Sequence, residues 1–269
     1  MSEAENIDPA KGSPNRFGYS WDRFSELTPV QEAQFQKWTT PLDPKVDWQG
    51  KRFLDAGCGQ GRNSYWPMSY GAASCVSIDL DERSLARATK NLETFAGAKV
   101  EQYSIYDIPY DDEFDIAFSI GVIHHLEFPE RAIEQMVKAV KPDGQVLIWV
   151  YGYENMELFS KVLDPLRKIL FSRMPLGLVR FLALFPTAVL WILLRLGVMR
   201  LEYFRVIRNA SFRHLQTIIF DQMLPKIAHY WRRDEALSLL ENRGLNDVRI
   251  EWINEMSWTV IGRKPPDDD

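Results

Sequence analysis

The segment Asp55-Ala56-Gly57-Cys58-Gly59-Gln60-Gly61 sets three glycines at alternate positions beside an acid. Glycine has no Cβ, so such a run turns tightly and brings bare main chain against a ligand. The spacing is G-x-G-x-G. A dinucleotide loop, G-x-G-x-x-G, needs its third glycine one residue later, where this chain has Arg62. Two more acids follow, Asp79 and Asp107. An ionised carboxylate only accepts hydrogen bonds, and it can take both hydroxyls of a ribose. Asp79 suits that role. Asp107 suits the exocyclic amine of an adenine, with the Ile108 N–H meeting a ring nitrogen. The candidate binding set is Asp55, Gly57, Cys58, Gly59, Gly61, Asp79, Leu80, Asp107, Ile108 and Ile120.

These residues work together only if strand ends bring them to one edge. Arg52 to Ala56 reads as a strand that runs into the glycine loop, and Arg62 to Tyr70 as a helix disturbed by Pro67. Ser74–Asp79 is a second strand, and Glu82 to Phe95 a helix with Leu85, Ala88 and Leu92 in register. Val100 to Tyr103, Phe114 to Ile120 and Gln145 to Val150 are further strands, with a helix over Pro129 to Val140. Apolar strands separated by amphipathic helices predict a parallel sheet covered on both faces. After Val150 the rhythm stops for about 80 residues. It returns with a helix from Asp234 to Asn242 and two strands, Val248 to Ile253 and Ser257 to Gly262.

The loop, the acids and three further segments resemble the class I S-adenosylmethionine-dependent methyltransferases. Those segments are Phe114-Asp115-Ile116-Ala117-Phe118, Gly121-Val122-Ile123-His124-His125-Leu126 and Lys141-Pro142-Asp143-Gly144-Gln145-Val146-Leu147. They follow the family's order and spacing from about Lys51 to Val150, and the match resumes at the last two strands. The resemblance implies an α/β fold with a doubly wound, mostly parallel, seven-stranded sheet whose last strand is antiparallel. It also implies S-adenosylmethionine as cofactor. The helical insertion after the fifth strand lies outside the common core. The expected organisation is a disordered leader over 1–16 and an aromatic and helical lid over 17–50. The cofactor domain covers 51–150 and 231–264, with a helical cap over 151–230 and a solvated tail over 265–269.

A sulfonium methyl is already activated, so the protein must mainly position an acceptor and keep water out. His125 is the candidate general base, with a lining role as the plainer alternative for the His124-His125 pair. Tyr19 and Trp21 in the early aromatic cluster, and Asp221, His229 and Tyr230 at the end of the insertion, are candidates for the acceptor pocket. Their plainer reading is ordinary packing. Cys58 lacks an adjacent base and reads as a small residue near the ligand. No ligand cluster accompanies the histidines, so no metal is expected.

Composition bounds the rest. The chain has 269 residues, net charge −5 and two cysteines. That balance argues against nucleic-acid binding through bulk charge, and two thiols give no disulfide framework. The first residues lack the basic and apolar regions of a signal peptide, which points to a cytoplasmic setting. Residues 151–215 run against the acidic trend, with ten Lys/Arg and four Asp/Glu. Within them, 14 residues between Arg180 and Arg195 carry no charge. That is short of the roughly 20 needed to cross a bilayer, and Pro186 interrupts it, so a buried or interfacial helix pair is expected. Leu176 to Met199 then has three uses: a cap over an apolar acceptor, contact with a membrane surface, or a homodimer contact. The favoured function is methyl transfer to oxygen or carbon of a small, apolar or lipid-like acceptor. A nicotinamide-dependent oxidoreductase and a non-catalytic nucleoside-binding protein are the alternatives.

Overall fold

The computed structural model describes residues 27–266. In chain order the elements are α1 (Pro29–Trp38), β1 (Arg52–Ala56), α2 (Arg62–Ser69), β2 (Ser74–Asp79), α3 (Glu82–Leu92), β3 (Ala98–Gln102), β4 (Phe114–Ile120), α4 (Pro129–Ala139) and β5 (Val140–Tyr151). The cap follows as α5 (Glu157–Ile169), α6 (Leu176–Leu182), α7 (Leu184–Leu196), α8 (Glu202–Ile207) and α9 (Phe212–Met223). The chain closes with α10 (Arg233–Glu241), β6 (Asn246–Ile253) and β7 (Ser257–Arg263).

All seven strands form one sheet in the order β3-β2-β1-β4-β5-β7-β6. Strands β1 to β5 pair in parallel, and β7 lies antiparallel between β5 and β6. This is the expected doubly wound sheet with its last strand reversed. Strands covered on both faces need apolar residues at successive positions. Phe53 and Leu54, Ala117 and Phe118, and Val146 and Leu147 meet that demand, all fully buried. Phe53, Phe118 and Leu147 join the layer holding α1, α2 and Leu92 of α3. Leu54, Ala117 and Val146 point the other way, against α4 and α10.

The described part of the expected lid, from residue 27, is packed on the sheet. Phe35 and Trp48 meet Phe118 with ring centroids 6.1 and 5.8 Å away. Thr259 Oγ1 donates to the Trp38 carbonyl at 2.7 Å. Phe35 and Trp48 are fully buried, so this segment completes the core. The candidates Tyr19 and Trp21 lie outside the described residues.

Boundaries moved where the apolar signal was weak. β3 starts at Ala98, two residues before the expected Val100, because it is an edge strand with no fully buried position. β5 starts at Val140 because Phe114 pairs Val140 and Ile116 pairs Gln145, so the Pro142-Asp143-Gly144 turn is absorbed as a bulge. In the insertion, Pro186 sits in the first turn of α7, where its missing N–H costs no intrahelical bond. The expected helix pair is present as α6 and α7, which meet end to end at Ala183, so that Leu176–Leu196 forms a 21-residue apolar rod. By length and composition this rod could cross a membrane.

Helix α3 begins on a side-chain cap. Asp81 Oδ1 accepts the N–H groups of Arg83 and Ser84, both at 3.1 Å. Asp81→Ala is expected to lower stability by about 1 kcal/mol, the usual cost of a lost cap, read as a reduced urea midpoint. Asp81→Asn should retain most of it. A wild-type midpoint for the alanine variant would remove the capping role.

Candidate functional site

The glycine loop is tied to the end of β2. The N–H groups of Gly57 and Cys58 both donate to the Ile78 carbonyl, at 2.9 and 2.8 Å. The next donor, Gly59 N–H, reaches Asp79 Oδ2 at 2.9 Å. Asp79 Oδ1 accepts from the N–H of Leu80 at 2.7 Å and of Asp81 at 3.0 Å. Burial raises the Asp79 pKa above the usual carboxylate value, and these three N–H donors oppose the shift. Gly57 is required twice over. Its φ is +86°, and an added Cβ would lie 2.5 Å from Val122 Cγ2. Gly61, at φ +72°, opens α2, and a Cβ added there would lie 3.0 Å from Ala88 of α3. Gly61 therefore serves helix packing.

Asp55 sits beneath the loop, 1% exposed. Ser64 Oγ donates to its Oδ2 at 2.6 Å, while Oδ1 has no partner. Burial pushes the Asp55 pKa up to about 7, against the Ser64 hydrogen bond, and the nearby Asp79 charge adds to the rise.

Above the loop is a cavity of about 1110 Å³. Its floor comprises residues 57–60, Arg62 and Asn63, with 78–80 and 120–122 at the neighbouring strand ends. Trp149 and Tyr151 of β5 form a side wall, and the cap supplies the roof through Met156, Leu163, Leu190, Met199, Tyr203 and Phe204 among others. Of the sequence candidates, Gly57, Cys58, Gly59, Asp79, Leu80, Ile120, His125 and Asp221 line this space. Asp55, Gly61, Asp107, Ile108, His229 and Tyr230 do not.

The reasons are local. Asp107 follows β3 on the same sheet edge as Asp55 and Asp79, but it is exposed in a turn where its N–H meets the Ser104 carbonyl. The Ile108 N–H assigned to an adenine nitrogen instead donates to Gln135 Oε1 at 3.3 Å. His229 is engaged behind the wall: its Nε2 lies 2.9 Å from the Leu126 carbonyl. Tyr230 stacks on Tyr151 at 5.7 Å. Burial raises the Cys58 thiol pKa well above its usual value, so the thiol stays protonated.

His125 Nδ1 is 2.8 Å from the Ile227 carbonyl. A carbonyl only accepts, so Nδ1 carries the proton and Nε2 is the acceptor nitrogen. Burial lowers the His125 pKa to about 3, partly offset by that hydrogen bond, so the ring is neutral at physiological pH. His124 is fully buried with neither ring nitrogen bonded, and it stacks on Tyr151 at 3.6 Å. Tyr151 thus lies against His124 and Tyr230, with Gln222 Nε2 donating to its hydroxyl at 2.9 Å. Burial lowers the His124 pKa well below its usual value, and behind this group the buried Arg167 guanidinium, paired with Asp164, adds to the lowering at both His124 and His125. Across the cavity, burial lowers the Arg62 pKa while the Asp221 charge opposes the shift. Burial raises the Tyr203 hydroxyl to about 12, reinforced by Asp221. Sequence reasoning missed Trp38, Arg62, Asn63, Trp149, Tyr151 and Tyr203, which come to the wall from separate elements. Only Arg62 carried a local signal, its place directly after the loop.

The donors and acceptors fit an adenosyl amino acid. Asp79 offers carboxylate lone pairs for hydroxyls, Leu80 an apolar side, and Asn63 Oδ1 a buried acceptor without a partner. Among the described residues, no group of three or more His, Cys, Asp or Glu is arranged to hold a metal ion.

Residues 54–148 match the family model described as a methyltransferase domain. A tRNA (carboxymethyluridine(34)-5-O)-methyltransferase of Arabidopsis thaliana is 36% identical over 175 residues, 60% of this chain and 40% of that protein. A ubiquinone biosynthesis O-methyltransferase of Pseudomonas savastanoi pv. phaseolicola is 30% identical over 129 residues, 47% of this chain and 55% of that protein. The chain thus spans about half the length of these curated relatives. Among solved structures, an N-methyltransferase of Bradyrhizobium japonicum WM9 in complex with S-adenosyl-L-homocysteine aligns with TM-score 0.56 and 13% identity, covering 96% of this chain and all of that one. The magnesium protoporphyrin IX methyltransferase of Synechocystis PCC 6803 aligns with TM-score 0.55 and 11% identity, covering 93% of each chain. At those identities the likeness establishes the fold.

The Asp55 shift has a consequence for stability. Between the ordinary carboxylate pKa near 4 and about 7, the folded state holds a proton that the unfolded state has released. Stability therefore falls as pH rises through this window, then levels off for this group. The urea midpoint of the ligand-free protein is expected to drop between pH 5 and 7.5, and Asp55→Asn should flatten the slope. An equal slope in that variant would contradict the shift.

Proposed function

We propose that this chain, which carries the class I S-adenosylmethionine-dependent methyltransferase domain, transfers a methyl group to an oxygen or carbon of a small, apolar or lipid-like acceptor. The observation that carries the reading is the single cavity that runs from the Asp79 end to a roof of apolar cap residues. One end is built for polar hydroxyls and the other for hydrocarbon. A polar acceptor would leave the Leu163, Leu190 and Phe204 surface poorly matched.

Bound at the loop, S-adenosylmethionine would supply a methyl activated by its sulfonium. Asp79 would accept from ribose hydroxyls, and the loop would set the cofactor's depth. The roof and the Trp149–Tyr151 wall would exclude water and hold the acceptor in line. His125, neutral with its proton on Nδ1, would accept a hydrogen bond from an acceptor hydroxyl through Nε2 and so orient it. With a pKa near 3 it is too weak a base to take a proton from an unactivated alcohol at neutral pH. Acceptors that ionise on their own, such as phenols and enols, match this best. Two buried free thiols, Cys58 and Cys75, agree with a reducing, cytoplasmic setting.

A second reading has one specific support: the Arabidopsis relative named as a tRNA methyltransferase. The formal charge of −5 weighs against it. Methyl-tritiated cofactor offered with a phenol bearing an isoprenoid tail, and separately with unmodified tRNA, distinguishes the two. Label is expected in the organic extract. Label in tRNA alone would replace the first reading with the second.

Asp79→Ala is expected to raise the cofactor dissociation constant about tenfold or more, on a cost of roughly 1.5–3 kcal/mol for charge-assisted hydrogen bonds. Equilibrium dialysis with labelled cofactor checks it. Undiminished affinity in the folded variant would remove Asp79 from the ribose.

A further inference from the structure

The apolar rod Leu176–Leu196 has two apolar faces, and only one is used in folding. Val179, Ala183, Thr187 and Leu194 are buried. The first two pack on Phe220, Met223 and Leu224, and Leu194 packs on Ile207 and Leu215. On the outside, Phe181, Phe185, Val189, Ile192 and Leu196 are 57%, 61%, 59%, 51% and 69% exposed. Their spacing of four, four, three and four residues makes one continuous stripe, roughly 23 Å long at 1.5 Å per residue. An amphipathic helix of a soluble protein would carry polar residues there. Only 17% of the most apolar window is buried.

Charge tells what the stripe faces. Where α7 ends, Leu194, Gly197, Met199, Phe204, Arg200, Arg205 and Arg208 line a second pocket of about 380 Å³. None of these three arginines has an acidic partner among the described residues. Arg205 and Arg208 are exposed, as is Val206 between them. Arg195 borders the stripe, held over the Trp191 ring at 5.3 Å. An apolar stripe with exposed arginines just beyond its end matches acyl chains beside a phosphate headgroup. A second copy of the chain related by two-fold symmetry would bring like surfaces together, arginines included. The inner face of the rod is already packed on α9, which favours a rod lying along a surface with only its outer face presented.

We propose that the outer face of the cap docks flat on an anionic bilayer, with Phe181 to Leu196 in the acyl boundary and Arg200, Arg205 and Arg208 on lipid phosphates. This inference does not depend on the methyltransferase reading, and its test involves no turnover. It places the cavity roof against the phase in which a lipid-like acceptor dissolves.

The test is co-sedimentation of the full chain with vesicles of phosphatidylcholine, alone or mixed equally with phosphatidylglycerol. Wild type is expected to pellet with the mixed vesicles, weakly with the neutral ones, and less as salt rises. Phe185→Glu/Ile192→Glu and Arg205→Gln/Arg208→Gln should each weaken binding about tenfold or more, on roughly 1 kcal/mol per basic residue near the surface. Their urea midpoints report folding, and the two pairs stand independently. The proposal is overturned if wild type stays in the supernatant with anionic vesicles, or if both folded variants still pellet like wild type. It is equally overturned if sedimentation velocity shows a dimer that Phe185→Glu/Ile192→Glu dissolves without loss of vesicle binding.

Discussion

The site rests on one desolvated carboxylate held by main chain. Asp79 ends β2 with three backbone N–H groups on its two oxygens, one of them from Gly59 in the loop that leaves β1. This bond sets the height of the loop over the sheet. The Gly57 and Cys58 bonds to Ile78 fix its direction, and the absence of a Cβ at Gly57 admits Val122 from the end of β4. Three parallel strand ends are locked together around a group that water would otherwise hold. A carboxylate that is buried and bonded by donors on one side keeps lone pairs for a ligand on the other. In the proposed site, binding capacity and loop stability would therefore come from the same residue.

In the proposed reaction, catalysis would be a matter of placement. The two histidines of the loop after β4 are buried, and both are shifted toward the neutral form by burial, with Arg167 adding to it. Their rings pack with Tyr230 around Tyr151 as an aromatic cluster more than an acid–base relay. The cap closes the other side with hydrocarbon. A cofactor that brings an activated group asks for dryness and alignment, and under the proposed function the cavity would supply both.

Much of this was legible in the sequence because it lives in local patterns. The loop spacing, the acid at the end of β2 and the apolar runs of β1, β2 and β4 each depend on a few consecutive residues. Their strand spans were read to within a residue. That Asp107 and Ile108 fall outside the cavity lining was not legible, because what a main-chain N–H after an edge strand meets is set by distant packing, here Gln135 of α4 for Ile108. Tyr151 and Tyr203 were invisible because a wall residue is defined by what folds opposite it. The end-to-end meeting of α6 and α7 was not legible for a different reason. Pro186 breaks a helix only in its interior, and nothing in the sequence showed that it falls in the first turn of α7.

The most direct measurement is titration calorimetry of the purified chain with S-adenosyl-L-homocysteine and, separately, with NAD. A single saturating site for S-adenosyl-L-homocysteine, and no heat of binding for NAD at the same concentrations, is the outcome required by a loop that lacks a third glycine at residue 62. Saturable binding of NAD with none of the thioether would overturn the assignment of the glycine loop and Asp79 to an adenosyl amino acid.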